Sequence, residues 1–371
     1  MIVIADDITG AAEMAGIAHQ HGLSVRLSIA GSLCCDYIAA ERTDVLVIAT
    51  DTRSMTEDEA VNETRHITSQ LSTLNSQLFK KTDSALRGHV VAELSALMQA
   101  TGYQRAIYLP ANPSKGRIIR NGCYLIDGKP IHETAFSYDP EFPAKTSVLK
   151  ERFPDAEAHH ILMPDAETTA DIQQIVTANN NPDTLMAGAA DLFEAVLKTR
   201  ETRNTRETRN TRNTRDTRNT RDTRKSTLFL CGSTQSKPLD LGFPVTPMPI
   251  AIYDGSEDIA PWLKEAEKLY EQQGSLMITI PHHHRTGKEV AIHLREMTAE
   301  LIQHLVAKQA PQQLIIEGGA SAFATLQHLG WNELEVVCQI APGVIKTKAP
   351  NGTFVIMKPG SYPWGNLTSY L

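Results

Sequence analysis

The chain has 371 residues, 41% of them hydrophobic, and a formal net charge of −7. That length and apolar share support two globular domains with cores of their own, and the acidic balance excludes a polyanion binder that works by overall charge. No apolar run reaches the roughly 18 residues of a membrane span, the first residues lack the basic and apolar regions of a secretory signal, and the five cysteines form no CxxC pair or spaced metal set, so a cytoplasmic protein with reduced thiols is expected.

The first half reads as strand–loop–helix units. Residues 2–5 predict a strand and 11–21 a helix. Between them stands Asp6-Asp7-Ile8-Thr9-Gly10. Adjacent carboxylates at a strand–helix turn can bind hydroxyls, hold Mg²⁺ or act as a general base, or Asp7 or Thr9 can simply cap the helix. The spacing is not the Asp-x-Asp-x-Thr of haloacid-dehalogenase phosphatases. Strands are expected over 25–29 and 45–49, the second followed by Asp51-Thr52-Arg53-Ser54 and then a helix near 57–74. A guanidinium in that loop can recognise a carboxylate with two parallel hydrogen bonds. A further strand ends at Lys80 or Lys81 and runs into Thr82-Asp83-Ser84-Ala85-Leu86-Arg87-Gly88, before a helix near 90–101 and a strand over 106–109. Lys80, Lys81 and Arg87 around Asp83 and Ser84 make either an anion site or an intra-loop salt bridge. Strands alternating with helices predict a parallel α/β sheet, whose ligands sit outside the carboxyl ends of the strands. The three polar motifs are therefore expected to converge. After Pro110, residues 122–126 and 129–132 predict a hairpin turned at Asp127-Gly128, either a flap or edge decoration.

From Thr199 to Arg224, Thr-Arg recurs every three residues with Glu, Asn or Asp between. This period fits neither helix nor strand, and a segment without apolar residues reads as a solvated linker. Nine Arg and one Lys against four acidic residues put residues 200–225 at +6, leaving the rest of the chain at −13. Arginines could contact nucleic-acid phosphates, but no aromatic interleaves to stack on bases. The boundaries expected are 1–198, a linker over 199–225, and 226–371.

The second half restarts the alternation. Strands are expected over 227–231, 275–280, 313–316, 336–340 and 353–357, with helices over 261–272, 289–308 and 322–329. Gly232-Ser233-Thr234-Gln235 and Glu317-Gly318-Gly319-Ala320-Ser321 share one layout of strand, small-residue turn and helix, which lets backbone amides approach a phosphate. Neither a Walker A sequence nor a GxGxxG after a strand occurs, which argues against P-loop NTPases and nicotinamide dehydrogenases. The histidine run at 282–284 has no Cys or carboxylate nearby to complete a metal set.

Together these motifs, with Pro110-Ala111-Asn112-Pro113 through Gly116-Arg117, Pro342-Gly343 and Lys358-Pro359-Gly360, resemble the four-carbon acid sugar kinases, a family once catalogued as a domain of unknown function. The resemblance spans nearly the whole chain except the repeat. It implies two α/β domains, each with a mainly parallel sheet flanked by helices, and an active site in the cleft between them. Residues 1–198 would bind the sugar acid and 226–371 would bind ATP, whose γ-phosphoryl passes to the terminal hydroxyl of threonate, erythronate or a 3-oxo-tetronate. By motif position Asp7, Arg53, Lys81, Thr82, Asp83 and Ser84 would hold the substrate, with Arg87 neutralising charge. Ser233, Gly318, Gly319, Ala320, Ser321 and Gly343 would hold ATP, and Asp7 or Asp83 would accept the hydroxyl proton. Mg²⁺ is expected with ATP, its protein ligands unassigned. Ala320 and Ser321 stand where the family often has an acidic residue and Thr, and Pro359 where it usually has Ser. A different class of reading is a non-catalytic metabolite sensor or a nucleic-acid-binding module using the basic repeat. A small-molecule substrate and a homo-oligomer fit the first reading; a membrane partner fits neither.

Overall fold

The computed structural model describes residues 1–29, 43–71, 76–139, 141–204, 225–232, 239–281, 287–360 and 362–371. The repeat beyond Asn204, Ser233 and the histidine run lie outside these residues. In chain order the first half comprises β1 (Ile2–Ala5), α1 (Ile8–Gln20), β2 (Val25–Ile29), β3 (Val45–Ala49), α2 (Glu57–Leu71), β4 (Leu78–Lys81), α3 (Val90–Thr101) and β5 (Arg105–Leu109). Then come β6 (Arg117–Arg120), β7 (Cys123–Ile126), β8 (Lys129–Pro130), β9 (Ile161–Leu162), α4 (Thr169–Asn179), β10 (Thr184–Gly188) and α5 (Ala190–Asn204). The second half comprises β11 (Thr227–Cys231), β12 (Val245–Pro247), α6 (Ala260–Gln273), β13 (Ser275–Thr279), α7 (Lys288–Lys308), β14 (Gln313–Glu317), α8 (Gly319–His328), β15 (Glu333–Ala341), β16 (Val344–Lys348) and β17 (Phe354–Lys358).

Two parallel blocks are present, β2-β3-β1-β4-β10-β5-β9 and β12-β13-β11-β14-β17. Their inner strands read as continuous apolar runs because both faces are covered: every residue of β1, β3, β11 and β14 is buried. The blocks are not separate sheets. β15 pairs antiparallel with both β16 and β2, β16 pairs antiparallel with β17, and the whole forms one 14-stranded sheet.

Three antiparallel pairings between the blocks reverse the sense of the strands, so on a flat sheet their carboxyl ends would lie on opposite edges. Twist undoes this. Six strand-to-strand steps separate β1 from β14, and at about 20–25° per step they rotate one block by roughly 120–150° against the other. Register shifts in β15 between Val336 and Cys338, and between Gln339 and Ala341, mark irregular pairing of the kind that adds to that coiling. The carboxyl ends of β1 and β14 meet where a Cβ on Gly319 would stand 2.5 Å from Thr9 Cγ2.

Helix α1 fills the space between the blocks. It packs on β1, β2 and β3 of its own block and on β15, β16, β17 and α8 of the other. Its composition permits this: Ala11, Ala12, Ala15 and Ala18 are all buried, and a Cβ on Gly16 would meet the Gln339 carboxamide at 2.7 Å. Small side chains on two faces let one helix approach two layers closely.

Several boundaries differ from the sequence reading, each for a local reason. Helix α1 begins three residues early, at Ile8, because Asp7 is its N-cap and accepts from the Gly10 amide. Helix α8 begins at Gly319 rather than 322, so the glycine pair is itself the helix start. Helix α5 continues to Asn204, into the first repeats, since propagating a formed helix is far easier than nucleating one. The Asp127-Gly128 hairpin is present with both residues at positive φ, 49° and 79°, but β6 pairs with β7 on the other side, so the appendage has three strands. No helix among the described residues is long and apolar enough to cross a membrane.

The Thr9–Gly319 junction is testable. Gly319→Ala forces its methyl against Thr9 and should lower stability by about 1–3 kcal/mol, as overpacking does. Thr9→Ser removes the opposing methyl, so the double variant should regain most of the loss in urea unfolding, a coupling that distant, independent sites do not show.

Candidate functional site

The carboxyl ends of the first block are level. Ala5 is in register with Ala49 and with Lys81, and Gly188 with Lys81 and Leu109. The loops that follow therefore emerge side by side, and the three polar motifs meet.

Arg53 stands at the centre. Its Nε donates to Asp6 Oδ2 at 3.0 Å and its Nη2 to Asp6 Oδ1 at 2.9 Å and Asp7 Oδ1 at 3.0 Å, while Asp83 Oδ1 lies 3.7 Å away. Burial works against its charge, but Asp6, Asp7 and Asp83 outweigh burial and hold the guanidinium ionised well above its ordinary range. The carboxylates diverge in turn. Burial pushes Asp6 up to about 6 despite Arg53. Burial would also raise Asp7, but Arg53, Lys81, the Thr9 hydroxyl and the Gly10 amide outweigh it and hold Asp7 below its usual value. At Asp83 burial is overcome by Arg53, Arg87 and Lys81, which keep it far below the carboxylate range.

Asp83 is also the more heavily bonded. Arg87 grips it at 2.9 and 3.0 Å, and the amides of Ala85 and Arg87 donate to its Oδ2. Both structural alternatives weighed from sequence are thus realised, the Asp7 helix cap and the Asp83–Arg87 pair, inside one convergent cluster. Ser84 accepts from Arg117 Nη1, and Lys81 Nζ donates to the Thr82 carbonyl at 2.8 Å.

Beneath the cluster lies a polar network. Lys80 and Glu93 form an ion pair, both about 1% exposed. Glu93 also accepts from Thr52 Oγ1 at 2.8 Å, and Thr50 Oγ1 donates to the Ala5 carbonyl at 2.9 Å. The network ties α3 and β4 to the Arg53 loop and to the end of β1, and so fixes where Arg53 meets Asp6.

The second block presents its carboxyl ends in the same way, with Cys231 in register with Glu317 and Glu317 with Lys358. Gly318, at φ 105°, caps α8 without any side-chain hydrogen bond. Its own amide bonds to the Lys358 carbonyl, and the Ala322 amide returns to Gly318. The amides of Gly319, Ala320 and Ser321 find no acceptor among the described residues and stand as the donors of a first helical turn, a donor set that fits a phosphate. Lys358 is buried and its Nζ bonds Glu317 at 2.7 Å. Gly343, at φ 74°, packs under the Tyr362 ring. Among the described residues no three His, Cys, Asp or Glu are grouped to hold a metal.

Contacts cross between the halves around this junction. Lys115 donates to Glu13 of α1 and to the Tyr362 hydroxyl at 3.1 Å. Lys288 Nζ donates to the Ser54 carbonyl at 2.6 Å, and Arg295 lies 3.8 Å from Asp51. The start of α1, capped by Asp7, and the glycine start of α8 therefore stand against each other at Thr9 and Gly319. Sequence reasoning assigned no role to Glu13, Thr52, Glu93, Lys115, Arg117 or Tyr362. Lys115 and Arg117 could have been found, because they belong to a quoted motif; Glu13 and Glu93 are single helical acids with no local signal.

Two family models match the chain: a sugar-binding N-terminal domain over residues 1–161 and a nucleotide-binding C-terminal domain over residues 248–362. The chain belongs to the family that joins these two domains, the one its motifs resemble. Curated relatives include a D-threonate kinase of Salmonella typhimurium, 33% identical over 153 residues, which are 41% of this chain and 35% of that protein. A 3-oxo-tetronate kinase of Brucella melitensis is 31% identical over 39% of this chain and 34% of its own. A D-erythronate kinase of Heliobacterium modesticaldum is 28% identical over 40% and 34%. These alignments span about a third of the relatives' length. The fold is shared with a Haemophilus influenzae protein of the DUF1537 family, with a TM-score of 0.70 at 18% identity over 100% of this chain and 98% of that one. A Salmonella typhimurium LT2 structure gives 0.73 at 17% identity over 98% and 96%.

Two stability measurements probe the site. In the folded chain Asp6 is raised by burial to about 6, against about 3.8 for an unperturbed aspartate. Its contribution to stability is therefore complete below about pH 4 and lost as pH rises through 6. Wild type should lose on the order of 3 kcal/mol relative to Asp6→Asn across that window in urea unfolding, and a constant difference would count against the raised Asp6. Glu93→Gln leaves the Lys80 ammonium buried without a counter-charge and should cost about 3–5 kcal/mol, whereas the apolar pair Lys80→Met with Glu93→Leu should recover most of it.

Proposed function

We propose that this chain is an ATP-dependent kinase that phosphorylates the terminal hydroxyl of a four-carbon sugar acid, of the threonate, erythronate or 3-oxo-tetronate class. The observation that carries the reading is the juxtaposition at Thr9 and Gly319. It sets the carboxylate-capped start of α1 against the uncapped start of α8, acceptor side against phosphate side. The two domain matches and the names of the curated relatives support the same division. The proposed domains are 1–198 for the acid and 226–371 for the nucleotide, joined by residues 199–225.

Phosphoryl transfer asks for positioning and charge stabilisation more than covalent help. ATP, when bound, supplies the γ-phosphoryl, and Mg²⁺ is carried with its phosphate oxygens. On the phosphate side Gly319, Ala320 and Ser321 offer the amides of the first turn of α8, Gly318 starts that turn with its own amide on the Lys358 carbonyl, and Gly343 stands in a further turn, while Ser233 is assigned by its motif alone. On the acceptor side Asp7 takes the hydroxyl proton. Its Oδ1 is committed to the Gly10 amide and Arg53, while among the described residues its Oδ2 holds only the Thr9 hydroxyl and keeps an acceptor lone pair. Asp83, held by Arg87 and two amides, serves chiefly to aim Arg87 and to balance Arg53. Lys81, Thr82, Ser84, Arg53 and Arg87 line the acid's path and stabilise charge as it develops.

An ATP-consumption assay over D-threonate, D-erythronate and 3-oxo-tetronates tests the reading; turnover of none of them would sink it. Asp7→Asn should lower kcat at least about a hundredfold, the scale of general-base removal. Asp83→Asn should mainly raise KM for the acid, and a comparable kcat loss there would return Asp83 to the base role.

A further inference from the structure

Most cations around the mouth are already paired by protein carboxylates. Arg53 takes Asp6 and Asp7, Arg87 takes Asp83 and lies 3.6 Å from Asp139, Lys115 takes Glu13, and Lys81 lies 3.8 Å from the same glutamate. Arg117 differs. It is the first residue of β6, half-buried, and no described carboxylate lies within ion-pair distance of it. Its Nη1 donates to the Ser84 hydroxyl, next to Asp83, and its guanidinium lies over the Phe136 ring, 5.6 Å from the centroid. Arg152 is a nearby arginine that also lacks a carboxylate, but its guanidinium donates to the carbonyls of Pro143, Leu86 and Phe142.

The appendage that carries Arg117 is fixed against the polar mouth. The Tyr124 hydroxyl of β7 donates to the Ser84 carbonyl and lies 3.0 Å from the Pro110 carbonyl. The guanidinium is thus held by a ring beneath it and a hydroxyl beside it. Five N–H donors are available to an arginine, and among the described residues one of them is used here. An always-charged fork, partly desolvated and without a protein counter-ion, matches a planar carboxylate.

We propose that Arg117 receives the carboxylate of the sugar acid and selects acids over the corresponding neutral polyols. This rests on the kinase reading above. It gives the three-stranded appendage a specificity role, with Phe136 and Ser84 as the positioning residues of the guanidinium.

The test compares wild type, Arg117→Ala and Arg117→Lys on D-threonate, D-erythronate, threitol and erythritol. Arg117→Ala should raise KM for the preferred acid by about a hundredfold, the loss of a charged bidentate pair, while KM for ATP stays within about twofold. Its kcat/KM on the matching polyol should stay unchanged, so acid-over-polyol selectivity collapses. Arg117→Lys should restore only part, since an ammonium cannot reproduce the fork. An equal loss on acid and polyol, or an unchanged KM for the acid, overturns the proposal. Calorimetric titration of the same acids into wild type and Arg117→Ala reads it independently of turnover. Wild type that binds an acid at least about tenfold more tightly than the variant supports the assignment even if no acid is phosphorylated, a result that would defeat the kinase reading alone. Equal affinity, or no binding to either, defeats the assignment.

Discussion

One guanidinium organises the polar cluster at the strand ends of the first block. Three carboxylates at the ends of neighbouring strands would repel one another in a site with little water, and Arg53 is what allows them to stand together. It does so unequally, with a fork for Asp6, one bond to Asp7 and a longer approach to Asp83. The inequality separates the acids: Asp6 is raised to about 6, while Asp7 and Asp83 are held below the ordinary value. Identical side chains thereby acquire different tasks from their surroundings. The Lys80–Glu93 pair and Thr52 below hold the Arg53 loop to its place, so much of the site's geometry is decided a layer beneath it.

The strand ends of the second block are built on another principle. No side chain caps α8, and the amides of its first turn are the offered groups. Backbone donors carry no titration of their own, so this half should respond to pH far less than the carboxylate cluster. The division suits the proposed partners: a polyhydroxy acid needs directional side chains, while a phosphate is satisfied by a row of N–H groups and a helix dipole.

Much of this was legible in the sequence, because it depends on local pattern. Apolar runs of four or five residues ending in polar motifs specified parallel strands and the edge at which those motifs gather, and the register at Ala5, Ala49 and Lys81 follows from that. The Asp-Gly turn at 127–128 was equally local. What escaped was long-range. That β15 would pair with β2 across 305 residues, as the Ser28–Glu333 hydrogen bond records, has no signature in either segment. β10, inserted between β4 and β5 from far along the chain, is one more short apolar run. Glu13 and Glu93 read as ordinary helical acids until the fold places lysines against them. The small residues of α1 were visible, but their meaning, a helix shared by two layers, needs the second layer to be present.

The joining of the halves through β15 and β2, and through α1, separates mechanical continuity from covalent continuity. Side-by-side placement is secured by strand pairing and buried packing, not by the residues that happen to connect α5 to β11. A flexible connector between halves so joined would carry an entropic cost that grows only with the logarithm of its length, about 0.6 kcal/mol for each doubling. On that scale a connector one three-residue unit longer or shorter would leave stability almost unchanged.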